Sequence, residues 1–98
     1  MLANCEFSVS HCARLSKQMD EGKASMGQVA RAKANCSRLG REVTALAREV
    51  CGGNGIILEN HVIKAMNDME VVYTYEGTYD INMLVSGREL TGGLAAFK

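Results

Sequence analysis

MGQVARAKANCSRLGREVTALAREV, residues 26–50, carries one unbroken pattern. Met26, Val29, Ala32, Cys36, Leu39, Val43, Leu46 and Val50 recur at spacings of three and four and mark one face of an α-helix. Arg31, Lys33, Arg38, Arg41, Glu42, Arg48 and Glu49 mostly fill the rest, as on a solvated face. At about 1.5 Å per residue such a helix is about 37 Å long. Ser25 suits its N-cap. CGGNG (51–55) stops it, because glycines permit positive φ and close backbone approach.

N-terminal to this helix, Leu2, Cys5, Val9, Cys12, Leu15 and Met19 predict an amphipathic helix over 2–19. DEGKASMG (20–27) is a turn, so the two helices form an antiparallel hairpin. Beyond the glycines, Ile57, Val62, Ile63, Met66 and Met69 predict a short helix from about 59 to 70. EVVYTYEGTYDI (70–81) then carries three tyrosines in what reads as a loop. From Thr78, an N-cap candidate, the helical pattern returns with Ile81, Leu84, Val85 and Arg88, up to TGG (91–93). Asp80 falls in that helix's first turn, where a carboxylate complements the dipole. No segment alternates as a strand does. The fold class is all-α: an antiparallel helical hairpin plus two shorter helices, an incomplete up-down four-helix bundle. Its core is thin, and one hairpin partner does not cover the long helix's apolar positions. Further chain or other subunits are therefore expected to cover them.

Composition narrows the function classes. Lys+Arg and Asp+Glu both number 11 and the net charge is zero, which argues against nucleic-acid binding and a polybasic membrane patch. No apolar run approaches the length of a membrane span. The first residues lack the charged start of a signal peptide. Of the four cysteines, Cys5, Cys12, Cys36 and Cys51, none forms a C-x-x-C pair, and His11 and His61 complete no zinc pattern, so no metal is expected. The cysteines are expected to be reduced and buried as small apolar residues.

Glu76 is the sharpest candidate for chemistry. Beside a glycine it has little bulk around it, and apolar helices walling it would raise its pKa toward that of a useful base. The plainer alternative is a solvated loop acid. Backbone N–H groups near the CGGNG glycines can bind phosphate, but neither nucleotide-binding fingerprint fits, and a helix stop explains the segment as well. The methionines Met66, Met69 and Met83 read as core, or as a flexible acyl-binding wall.

Read together, CGGNGI (51–56), TYEGTYDI (74–81) and GRELTG (87–92), in that order and spacing, resemble the C-terminal end of the acyl-CoA dehydrogenase and acyl-CoA oxidase flavoproteins. The likeness is greatest to the glutaryl-CoA dehydrogenase and plant short-chain acyl-CoA oxidase branch. With the helices before them, it covers nearly the whole chain, 1–98. The resemblance implies α,β-dehydrogenation of an acyl-CoA thioester with FAD as cofactor. Glu76 then matches the catalytic base, and Gly77 the glycine lying against the thioester. Thr78 and Asp80 match positions at or beside the flavin contacts. Glu49, Val50, Cys51, Gly52 and Gly53 match the segment that approaches FAD from a neighbouring subunit. Cys51 stands where leucine is commoner. Phe97 matches a C-terminal aromatic near the flavin, in a TGGLAAF tail one residue longer than the usual form.

The family's chain is several times longer. Its N-terminal and middle domains and the first helix of its C-terminal bundle have no counterpart here, so the isolated chain is expected to be inactive. The implied partners are an acyl-CoA substrate and a homo-oligomer, a tetramer in the family. The implied compartment is the mitochondrial matrix, with the peroxisome as alternative, since AAFK is no S-K-L address. A rival from another class is a helical module that self-associates without catalysis.

Overall fold

In a computed structural model, which describes residues 1–93, the long helix has the bounds its pattern predicts. Four α-helices follow one another: α1 (Leu2–Asp20), α2 (Met26–Val50), α3 (Val62–Thr74) and α4 (Tyr79–Leu90). Two 3-10 turns, Gly52–Ile56 and Leu58–Asn60, link α2 to α3. Every regular element among the described residues is helical, and none of these helices is long and apolar enough to cross a membrane. Ser25 caps α2 with a full capping box: its hydroxyl accepts from Gln28 N–H, and the Gln28 side chain accepts from Ser25 N–H.

The hydrogen bonds give the topology. Partners of α2 climb from Glu70 opposite Arg41, through Tyr73 and Gly77 opposite Lys33, to Ser86 opposite Arg31 and Glu89 opposite Ser25. So α3 and α4 lie end to end as one broken row, antiparallel to α2. On the other side α1 packs antiparallel to α2, with Cys12 and Ser8 against Cys36. The molecule is a slab of three rows, 49 × 29 × 17 Å, with α2 in the middle.

A central row needs two buried faces, and only one is legible as an apolar stripe. Val29, Ala32, Cys36, Leu39 and Val43 follow the expected stripe, but Met26 and Val50 at its ends are 71% and 76% exposed. The second face is built from small residues, Gly27, Ala30, Ala34 and Ser37, all buried. Small side chains let helix axes approach closely. At Gly27 an added Cβ would strike the Glu89 carboxyl, and at Gly40 the Met69 side chain. Arg31 and Lys33 therefore correct the solvated-face expectation, because both are half-buried donors between rows.

Two more expectations need correction. The helix expected over 59–70 runs from Val62 to Thr74, so the first half of the tyrosine stretch is helical. Its start is delayed by His61, which holds φ 63. Its end is extended because Tyr73 packs under Arg41 and against Tyr79. The cysteines are not core residues: Cys5, Cys12 and Cys51 are exposed and Cys36 is half-buried. Alanines fill the tight seams instead, and among the described residues α1 has a neighbouring helix on one side only. Met66 and Met69 are half-buried, whereas Met83 is exposed.

Candidate active site

The turn at Tyr75–Thr78 breaks the third row at mid-height. Glu76 has φ 56 and Gly77 φ 91, two left-handed residues in succession. Glycine adopts this region freely, but a glutamate there is held against its own preference. The surroundings supply the restraint. Lys33 Nζ donates to Gly77 O at 2.7 Å and to Tyr73 O at 3.1 Å. Asn82 Nδ2 donates to Gly77 O at 2.8 Å and to Thr78 O at 3.2 Å. Tyr73 and Tyr79 stack across the break, with centroids 6.0 Å apart and planes at 12°. Arg41 lies 4.6 Å from the Tyr73 ring centroid and bonds Glu70 at 2.6 Å, whose carboxylate pushes the Arg41 guanidinium above its ordinary range.

What this frame presents is a bare carboxylate. Glu76 is exposed, and its side chain makes no hydrogen bond or ion pair with any described residue. It borders an open cavity of about 380 Å³ lined by Lys33, Cys36, Ser37, Met69, Val72, Tyr75 and itself. Most of that lining is apolar, and the volume is within the range of small-molecule sites. Met69 thus stands both at the α2–α3 seam and in the wall beside Glu76. A smaller notch of about 210 Å³ between α1 and α2, lined by His11, Arg14, Leu15, Gln18, Gln28 and Arg31, contains none of the predicted site residues.

The predicted residues fall into two groups. Glu76, Gly77, Thr78 and Asp80 come together at the break. Thr78 Oγ1 accepts from Ile81 N–H and caps α4, and Asp80 sits exposed in that helix's first turn. Glu49, Val50, Cys51, Gly52 and Gly53 stand at the far end of α2, all exposed. Between the levels of Lys33 and Glu49 the helix rises about 24 Å, so one chain does not bring the two groups together. Gly52 has φ 58, and a Cβ added at Gly52 or Gly53 would meet no atom within 4 Å. Their neighbour Gly55 serves packing, since its missing Cβ makes room for the Arg48 carbonyl. Phe97 lies outside the described residues. Sequence reasoning missed Lys33 and Asn82; the small-residue row of Gly27, Ala30, Ala34 and Ser37 was the available sign that Lys33 faces a neighbour.

Comparison with known proteins agrees with this architecture. Residues 1–91 match the family described as acyl-CoA dehydrogenase, C-terminal domain. Cyclohex-1-ene-1-carbonyl-CoA dehydrogenase of Geobacter metallireducens is 33% identical over 78 residues, which cover 79% of this chain and 20% of that protein. Glutaryl-CoA dehydrogenase from Mycobacterium smegmatis aligns with a TM-score of 0.85 and 37% identity over 92% of this chain and 23% of that one. The chain spans about a fifth of the length of these relatives.

Proposed function

Since the chain belongs to the acyl-CoA dehydrogenase family through its C-terminal domain, we propose that it is the base-bearing part of an FAD-dependent enzyme that introduces a 2,3 double bond into an acyl-CoA thioester. The observation that carries this is Glu76 itself: a left-handed residue at a pinned turn beside an apolar cavity, its carboxylate without a partner among the described residues. Strain of this kind collects at functional sites. The names of both relatives above specify CoA thioesters, and a glutaryl or other short acyl group is the substrate class proposed here.

In this reading a Glu76 oxygen takes the proton from the α-carbon. The electron pair of that C–H bond forms the double bond as the β-hydrogen leaves with its own pair. Bound FAD would supply the acceptor for that hydride. Thr78 and Asp80 would hold the cofactor at the break, and Glu49 to Gly53 would approach it through the open backbone of Gly52 and Gly53. Gly77 would lie against the thioester beside the base. Because the two groups are separated along α2, the Glu49–Gly53 segment would serve a cofactor in a neighbouring copy, which favours a homo-oligomer. The remaining bundle row and the other domains would lie elsewhere in the complete enzyme, and the isolated chain would show little or no turnover.

The test uses the complete flavoenzyme carrying this segment. Glu76→Gln is expected to bind acyl-CoA but fail to bleach the flavin. Rapid bleaching by that variant overturns the base assignment. A second reading, a self-associating helical module without catalysis, is favoured by the exposed Leu2, Val9, Met19 and Leu84 on the outer rows.

A further inference from the structure

We propose that Lys33 is a positioning residue for Glu76, acting through the backbone of the turn. The inference rests on the base reading above. Lys33 Nζ spans the turn from Tyr73 O, before Glu76, to Gly77 O, after it, at 3.1 and 2.7 Å. Tyr73 belongs to the last turn of α3, whose carbonyls have no helical partner and attract a cation. Gly77 O takes a second donor from Asn82. One ammonium on the rigid central helix therefore fixes both ends of the segment Tyr73–Gly77, in which Glu76 would otherwise relax out of positive φ. Lys33 forms no ion pair with Glu76. Its effect is on where the carboxylate stands.

Two measurements test this. In the 98-residue chain, Lys33→Met and Lys33→Gln are expected to shift the amide resonances of Glu76, Gly77 and Thr78. Amide exchange there should speed up about tenfold, as for a region opened locally, while Ala45–Arg48 stay unchanged. Two variants are used so that a failure of one to fold leaves the other. Unchanged resonances and exchange at 76–78 overturn the proposal. In the complete enzyme, Lys33→Met should slow flavin reduction by about 100-fold, the scale of a displacement near 1 Å, with acyl-CoA binding within about twofold. Lys33→Arg should restore much of the rate. If Glu76→Gln is dead while Lys33→Met reduces flavin normally, the positioning claim fails and the base reading survives. If Glu76→Gln is active, the base reading fails, and the amide measurement alone decides whether Lys33 holds the turn.

We infer that Cys12 and Cys36 are a disulfide-forming pair able to staple α1 to α2. Their Sγ atoms are 3.7 Å apart, so a modest side-chain rotation brings them to bonding distance. Cys12 is exposed and reachable by an oxidant. Burial, and then the hydrogen bond with Cys12, push the Cys36 thiol up, and Cys12 is the exposed member of the pair, so the first attack falls to Cys12. Attack on a small disulfide such as oxidised glutathione releases one thiolate and forms a mixed disulfide on Cys12. Cys36 then gives up its proton, attacks that sulfur and expels the second thiolate. Two thiols have lost two electrons and two protons, and the small disulfide has been reduced.

Treatment of the 98-residue chain with oxidised glutathione should lower its free thiols from the four present to two, with Cys12–Cys36 as the linked peptide pair. The melting temperature should rise by several degrees and fall back on reduction. Cys5→Ser with Cys51→Ser should leave this behaviour intact, and Cys12→Ser should abolish it. Four thiols persisting, or linkage through Cys5 or Cys51, overturns the inference.

Discussion

Glu76 occupies a conformation that glycine would hold at lower cost. A non-glycine residue in the left-handed region costs about 1–2 kcal/mol, of which the extra chain entropy of glycine would return up to about 1 kcal/mol. Glu76→Gly is therefore expected to raise the unfolding free energy of the chain by about 0.5–1 kcal/mol in urea titration while removing the carboxylate. An equal loss of stability would mean that the side chain supports the fold and that the strain serves no chemistry. Gly77→Ala should do the opposite. With φ at 91 and Asn82 Nδ2 3.0 Å from the added Cβ, it is expected to cost about 1–2 kcal/mol in the same titration. The residues of this turn were legible because a carboxylate, a glycine and a capping threonine each leave a sign in sequence. Lys33 and Asn82 were not, because what they bind is backbone carbonyl, which every residue has. The cysteines misled because burial of a small residue depends on which side of its helix has a neighbour.

Among the elements, the junction of α2 with α4 has a clear electrostatic logic. Glu89, in the last turn of α4, reaches the N-terminus of α2, where N–H groups lack partners. It accepts from Ser25 Oγ at 2.6 Å and Gly27 N–H at 2.8 Å, and these bonds hold its carboxyl below the ordinary 4.5. A carboxyl lowered in the folded state stabilises fully above its unfolded pKa, and that stabilisation is lost as pH falls through the folded value. The melting temperature of the native chain should therefore exceed that of Glu89→Gln at pH 7, and the gap should close as pH drops below 4.5. A gap independent of pH would show that the charge contributes nothing. Gly27→Ala should imitate Glu89→Gln, since its methyl would occupy the carboxyl's place. Helices α2 and α4 were readable to the residue because each has a true cap, Ser25 and Thr78. The start of α3 was not, because no side chain caps it and a left-handed His61 sets it instead.

At the scale of the whole chain, the three-row slab leaves apolar surface uncovered. Its accessible area is 6646 Å², against about 5,500 Å² for a globular monomer of this mass. Its radius of gyration is 15.9 Å, against about 13 Å for a compact domain of this length. Among the described residues the buried hydrophobic ones are Leu15, Ala30, Ala32 and Ala34, mostly alanines with little side-chain area to bury. On one face, Cys5, Val9, Leu39, Val43 and Met69 line an apolar groove of about 370 Å³ where a fourth row would lie. Sequence reasoning reached the need for a partner, because the long helix has more apolar positions than one hairpin covers. It did not reach the groove, which exists only once α1 and α3 flank α2. For the chain on its own, the available occupant is a second copy. Sedimentation at tens of micromolar should then give a mass at least twice that of the chain, and Val9→Glu should return it to monomer with its helical circular dichroism retained. A stable monomer that melts cooperatively would mean that so thin a core suffices. In that event the groove would be free to receive a helix from the rest of a longer enzyme, and the self-associating reading would be lost.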